Sequence, residues 1–432
     1  MLVVLRRFAP GFLFAIAARS GATDPAFSSI PFDRWVEEGN QAHMRFSAKA
    51  LPVELSNHQR LEARVEIVLD GKEVAQRRGK GFLVVMVQFR DSQNRVYQTH
   101  ESIDLAQAKE DSGRSNFEYT PAAFVTPGDY QISVAIFDTD TGEHSAMRLP
   151  LHVNPLKHDP LPGSWNDLPA VEIPKVADTP DSLFLPDITG RLHLPLETHR
   201  AVRVELLVNA SPISGDELSG PRHANNRSLS SLIPALKVIS QTDLRNGTLN
   251  VALLDLTTQQ QIFHQEAVHD LDWDKLGPAL KQNGPNVIDV HALEKRRQDA
   301  QFFLTQVRKR IGVDDRETAP NGPLPVLIVL SGPMAFGSGE DLHPIELGSK
   351  PDAEVFYIRY HSIPPKPVMN PYGGGGRRGR RMGDYGRNRM EAEPVDALEK
   401  TLKPLQPHLY DVTTPEEFRK ALAELMGEVS RM

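Results

Sequence analysis

The chain has 432 residues, 40% hydrophobic and 24% charged, with a formal net charge of -7 and an isoelectric point near 6.1. That length asks for two domains of ordinary size, and the composition is globular rather than disordered or membrane-like. The acidic balance excludes a generic nucleic-acid binder, and the absence of cysteine excludes disulfides, thiolate catalysis, cysteine-ligated zinc and a lipid on an N-terminal cysteine.

Arg6 and Arg7 precede an apolar run from Phe8 to Ala18, and Ser20, Gly21 and Ala22 follow. A positive region, an apolar region and a small-residue site in that order predict a signal peptide over residues 1–22, cleaved after Ala22, and hence export to the periplasm or the extracellular space. A poorly ordered cytosolic N-terminus is the alternative, because Pro10 and Arg19 interrupt the pattern. No later apolar stretch approaches the ~20 residues that span a bilayer, so the mature chain is expected to be soluble.

From residue 30 to 154 the pattern is strand-like. The runs Met44–Ala50, Ala63–Leu69, Phe82–Phe89, Val96–Ile103, Tyr130–Phe137 and Met147–Val153 are rich in β-branched and aromatic residues. Turn chemistry separates them: Asp70-Gly71, Asp91-Ser92, Pro127-Gly128-Asp129 and Asp140-Thr141-Gly142. Short strands at this spacing predict a two-sheet sandwich, immunoglobulin-like in architecture only, since the Cys–Trp–Cys core is missing. Prolines 155, 160, 162, 169, 174, 180 and 186 then predict a semi-rigid linker over 155–188, because each removes a backbone donor and fixes φ.

Over 190–432 the period changes. Strands are predicted at Val202–Val208, Leu249–Leu254, Gln260–His264, Val287–Val290, Pro325–Leu330, Glu354–Ile358 and His408–Val412. Helices are predicted at Leu229–Ser240, Ala292–Ile311, Asp396–Leu402 and Pro415–Val429, the last with Thr414 as N-cap and Glu416-Glu417 on its positive end. Strands alternating with helices predict a mostly parallel sheet covered on both faces, with its ligand crevice at the carboxyl ends of the strands.

This order, with one antiparallel hairpin near the sheet edge and a closing Val412-Thr-Thr-Pro-Glu-Glu-Phe-Arg-Lys-Ala-Leu422 segment, resembles the von Willebrand factor A domain. The whole chain is similar to the secreted von Willebrand factor A-related proteins abundant in Acidobacteria. In these a signal peptide and a sandwich with a Pro-Gly-Asp-Tyr strand, here Pro127–Tyr130, precede the α/β domain. The resemblance implies an immunoglobulin-like sandwich followed by a von Willebrand factor A-like, Rossmann-like α/β domain. It also implies a metal-ion-dependent adhesion site, in which Asp-x-Ser-x-Ser after the first strand, a threonine and a second aspartate hold Mg²⁺. The matching positions here read Asn209, Ser211 and Ile213, with Ser214 one residue away, and the later aspartate position reads Ser331-Gly332-Pro333. Two carboxylates and at least one hydroxyl are gone, and Mg²⁺ needs carboxylate charge. The expectation is therefore a degenerate site with no metal or other cofactor, where Asn209 and Ser211 tie down the strand-to-helix loop.

The segment Tyr372–Arg389 carries Arg377, Arg378, Arg380, Arg381, Arg387 and Arg389 against the single Asp384. It reads first as a disordered Gly/Arg insertion over 370–392, since such runs cannot bury a core. The alternative is a polyanion-binding loop acting by guanidinium–phosphate pairing and stacking. Ser331-Gly332 with Gly337-Ser338-Gly339 is neither a phosphate loop nor a nucleophile elbow. His264, His269 and His291 lie near Asp270, Asp272 and Asp289 without metal-ligand spacing. The function expected is a secreted, non-enzymatic protein-interaction module that meets an unknown protein partner through strand-end loops. An enzyme using the Asp270–Asp274 region with Asp289 is the other alternative.

Overall fold

Strand alternation and long-range pairing divide the chain into two units. The computed structural model describes residues 25–39, 44–77, 79, 81–107, 116–174, 188–211, 221–282, 296–312, 322–334, 353–361 and 396–432. The signal-peptide segment 1–22, the Val287–Val290 strand and the 370–392 loop lie outside the described residues.

The first unit holds residues 1–53, 63–154 and 170–173. In chain order come helices α1 (Pro25–Ser28) and α2 (Phe32–Glu38), strand β1 (Phe46–Ala50), the two-residue β2 (Glu54–Leu55, outside this unit), and β3 (Leu61–Leu69). Helix α3 (Gly71–Gln76) and strands β4 (Phe82–Asp91), β5 (Val96–Asp104), β6 (Phe117–Tyr119), β7 (Ala122–Val125), β8 (Gly128–Asp138), β9 (His144–Val153) and β10 (Val171–Glu172) follow. One antiparallel sheet runs β1-β3-β7-β10 and the other β5-β4-β8-β9. Both faces of the second are covered. Val85, Val87, Ile132, Val134 and Ile136 are fully buried on one face, while Phe27, Phe32, Trp35 and Val36 of the helices cover Met86, Ala135 and Ala146 on the other. Trp35 stacks on His144 with ring centres 4.1 Å apart. At the start of β8 the Tyr130 hydroxyl lies 2.8 Å from Thr126 O and 3.0 Å from Ala170 O, which fixes the turn chemistry of Pro127–Asp129 against β10.

The second unit holds residues 54–62, 155–169 and 174–432. Its elements are β11 (Leu194–Leu196), β12 (Val202–Asn209), α4 (Pro221–Ile239), β13 (Thr242–Leu244), β14 (Gly247–Asp255), β15 (Gln260–Gln265), α5 (Trp273–Gln282), α6 (Arg296–Ile311), β16 (Leu324–Ser331), β17 (Glu354–Tyr360), α7 (Ala397–Leu402), β18 (His408–Val412) and α8 (Pro415–Ser430). A mixed sheet has the order β15-β14-β12-β16-β17-β18. Its pairs are parallel except β14–β15, and β11 and β13 form a small parallel pair of their own. Continuous apolar strands such as Val-Arg-Val-Glu-Leu-Leu-Val suit a sheet covered twice. Leu206, Val208, Ile328 and Ile358 meet α4 and α8 on one face. Leu207, Leu327, Val329 and Tyr357 meet α6 and α7 on the other. Each such buried side chain contributes roughly 1.5–3 kcal/mol. Helix α8 starts on a full capping box, Thr414 accepting from Glu417 N and the Glu417 carboxylate accepting from Thr414 N, with Pro415 in its first turn.

The expected fold class, an all-β sandwich followed by a von Willebrand factor A-like, Rossmann-like α/β domain, is corrected by the structure. Among the described residues strand takes 40% against 27% helix, several sheets are antiparallel, and helices are few. A doubly wound domain of that class places a helix in each crossover between parallel strands. Among the described residues the connection from β16 to β17 shows no helix, and that from β17 to β18 shows only the six-residue α7 and a 3₁₀ turn. The expectation arose from treating short apolar runs and a short capped helix as one regular strand–helix alternation. The chain is mostly β-sheet.

Residues 155–169, where prolines suggested a linker, take part in the second unit. The Arg419 guanidinium of α8 is buried and donates to Asp159 Oδ1 at 2.6 Å, Asp159 Oδ2 at 2.8 Å, Leu161 O at 2.8 Å and Ser164 Oγ at 2.7 Å. It also lies 4.6 Å from the Trp165 ring centre.

Candidate functional site

The five parallel strands β12, β14, β16, β17 and β18 end on the same edge, and the sequence-predicted polar residues gather there. Asn209, the last residue of β12, accepts from Ser211 N at 3.1 Å through Oδ1 and donates to Ser331 Oγ at 2.9 Å through Nδ2. Ser211 Oγ accepts from Leu256 N at 2.6 Å, which ties the turn after β12 to the end of β14. Ser331 Oγ in turn donates to Gly332 O at 2.7 Å. All three side chains are buried. The structure thus brings together Asn209, Ser211 and Ser331. Ser214 lies outside the described residues, as do Arg377, Arg378, Arg380, Arg381, Arg387 and Arg389.

A second group completes the edge, and no sequence motif pointed to it. Asp396 caps α7: Oδ1 accepts from Leu398 N at 3.1 Å and from Met334 N at 3.1 Å. Its Oδ2 accepts from the Tyr357 hydroxyl at 2.8 Å and from Arg359 Nη1 at 3.3 Å. Burial, then the neighbouring Asp396 charge, raises the Tyr357 phenol well above its ordinary range, so it stays a hydrogen-bond donor. Arg359 also donates to Asp411 Oδ1 at 2.7 Å and Glu399 Oε2 at 2.7 Å. The bond from Arg359 holds the Asp411 carboxyl below its usual value against the opposing effect of burial, and His361 Nε2 adds to this from 2.7 Å.

Chemically this edge is a closed hydrogen-bond network. The Ser331 hydroxyl is spent on a backbone carbonyl, and the Asp396 carboxylate already accepts four bonds. Among the described residues neither forms a nucleophile–base pair. No group of three or more His, Cys, Asp or Glu that could hold a metal occurs among the described residues. The alternative acidic region is dispersed. Asp270 pairs with Arg191 at 3.3 Å, Asp272 pairs with Lys275 at 2.6 Å, and Asp289 and His291 lie outside the described residues. A separate open cleft of about 400 Å³, lined by Leu196, Glu197, Arg245 and Met426, sits beside the amino end of β14 instead. Among the described residues no helix is long and apolar enough to cross a membrane.

No protein-family model matches the chain, and no curated protein matches it. Among solved structures it is similar to a structural-genomics target named SoR45 (13% identity, 27% of this chain, 94% of that one, TM-score 0.18). It is also similar to the C-terminal domain of wzt (12% identity, 28% of this chain, 83% of that one, TM-score 0.17). A third is a β-glucosidase from Listeria innocua in complex with isofagomine (16% identity, 26% of this chain, 16% of that one, TM-score 0.16). At these scores the likenesses carry no argument, and none concerns von Willebrand factor A.

Proposed function

We propose that the chain is an exported, non-enzymatic protein-interaction module whose contact face is the carboxyl edge of the mixed sheet. One observation supports this reading above the others. The connections 212–220, 335–352 and 362–395 all depart from this single edge, after Ser211, Met334 and His361. Among the described residues of that edge the polar groups that chemistry would need are already committed to one another. Rigid strands that end together give loops a common base, which is how sheet scaffolds present binding residues.

The test is affinity capture from the envelope fraction with the full chain as bait. Thr258 and Thr413 lie exposed at the carboxyl ends of β14 and β18, and Thr248 lies exposed at the amino end of β14. Wild type and Thr248→Arg should retain the same protein, while Thr258→Arg with Thr413→Arg should lose it. Equal retention by all three, or turnover in a hydrolase substrate panel, overturns the reading.

A further inference from the structure

Residues Glu54–Glu62 come early in the chain yet belong to the second unit. Strand β2 folds back on Leu61 and Glu62, and the tip is closed by bonds from Ser56 N to Arg60 O and from Gln59 N to Ser56 O, both 2.9 Å. Gln59 adopts φ 58, a left-handed conformation that side chains seldom take without surrounding contacts to enforce it. Those contacts exist: Gln59 is fully buried, its Nε2 donates to Pro415 O at 2.9 Å, and its carbonyl accepts from Trp165 Nε1 at 2.8 Å.

On either side of Gln59, His58 and Arg60 line a small cavity with Lys237 and Gln241, walled by Ile188 and Leu192. Its free volume is about 10 Å³, room for one water at most, and His58 itself is half-buried. Among the described residues the charged groups that face the ring are Arg60 from its own segment and Lys237 from α4; the 188–192 wall contributes Ile188, Gly190 and Leu192, which do not titrate. Burial first, then the positive charges of Lys237 and Arg60, pushes the imidazole from 6.5 down to about 4.

We propose that the Glu54–Glu62 hairpin is an acid-sensitive element, unseated from the second unit when His58 takes up a proton between Arg60 and Lys237. The unseated imidazole titrates at its ordinary value and the seated one does not, so the unseated form binds more protons between pH 6.5 and about 4. Seating is therefore fully favoured above pH 6.5 and weakens as the pH falls towards about 4. The opening equilibrium rises about 30-fold by pH 5 and at most about 300-fold once both forms are protonated.

Hydrogen exchange of the full chain at pH 7.5 and pH 5, corrected for intrinsic rates, reads this directly. Peptides covering 54–62 should lose about 30-fold in protection while β12 and β16 keep theirs. His58→Gln should abolish the difference. Lys237→Met should shrink it, because removing that charge brings the seated imidazole closer to its ordinary value. The same pH response in wild type and His58→Gln, or loss of 54–62 protection only together with β12, overturns the proposal. If His58→Gln does not fold at pH 7.5, the Lys237→Met result decides: a response as large as wild type's overturns it.

Discussion

Replacing Arg419 by Ala removes a guanidinium whose side chain is 2% exposed and strands a carboxylate, Asp159, that is 10% exposed. Four hydrogen bonds disappear at once, together with the stacking on Trp165. Removing one partner of a buried pair typically costs about 3–5 kcal/mol, because the remaining charge is left desolvated and uncompensated. The cation–π contact is part of that total and accounts for roughly 0.5–2 kcal/mol of it. Arg419→Lys keeps the charge but loses the planar fork, so it should cost about half as much. Burial alone would raise the Asp159 carboxyl, but the bonds from Arg419 and from Leu161 N hold it below its ordinary 3.8. Its contribution is present above that value and lost as the pH falls through the lowered one, so the variant should show a flatter acid limb. The assay is urea unfolding followed by tryptophan fluorescence in a Trp35→Phe background, where only Trp165 and Trp273 of the second unit report. A loss below about 1 kcal/mol for Arg419→Ala, or a coupling with Asp159→Asn below about 0.5 kcal/mol in a double-mutant cycle, refutes the reasoning.

Three further outcomes are expected. Gly247→Ala places a Cβ 2.4 Å from Val202 O and 2.8 Å from Val202 Cγ2, so the paired ends of β12 and β14 must part; a loss of about 1–3 kcal/mol in the same urea assay is expected, and no loss would show that the turn relaxes freely. Thr414→Ala breaks the capping box of α8 and should cost about 1 kcal/mol, measured as a lowered Tm; Thr414→Ser should restore most of it. Millimolar Mg²⁺ or EDTA should leave the Tm of the second unit unchanged, since an ion raises stability only by binding the native state and Asn209 offers an amide already bonded to Ser331. An upward shift with Mg²⁺ that Ser211→Ala removes would show a live metal site.

How much of this was legible in the sequence depended on whether the signal was local. The continuous apolar runs at 202–208 and 325–330 and the capped helix at 415 announce themselves through period and capping chemistry. Asn209, Ser211 and Ser331 are candidates only through the resemblance, as the positions matching its metal-ion-dependent adhesion site. The class was misread because a regular alternation was inferred from runs as short as α7, and because α1, α3, β6, β10 and β13 are too short to show a period. Helix α2 hides its apolar face in a single turn, Phe32, Trp35 and Val36. Proline spacing suggests a linker over 155–188, and nothing local reveals that Arg419, 260 positions from Asp159, bonds to Asp159, Leu161 and Ser164. The Asp396–Tyr357–Arg359 group is equally non-local: a helix is expected over Asp396–Leu402, but the two side-chain donors on β17 lie 37 and 39 positions away.

The central claim, that the carboxyl edge of the mixed sheet is the contact face, is tested most directly by photo-crosslinking in the native envelope. A photoreactive residue placed singly at Thr258 and Thr413, on that edge, and at Thr248, on the opposite edge, samples both ends of the same sheet in the full chain. The account predicts one discrete crosslinked protein from Thr258 and Thr413 and none from Thr248. A crosslink from Thr248 with silence at the other two positions would contradict it.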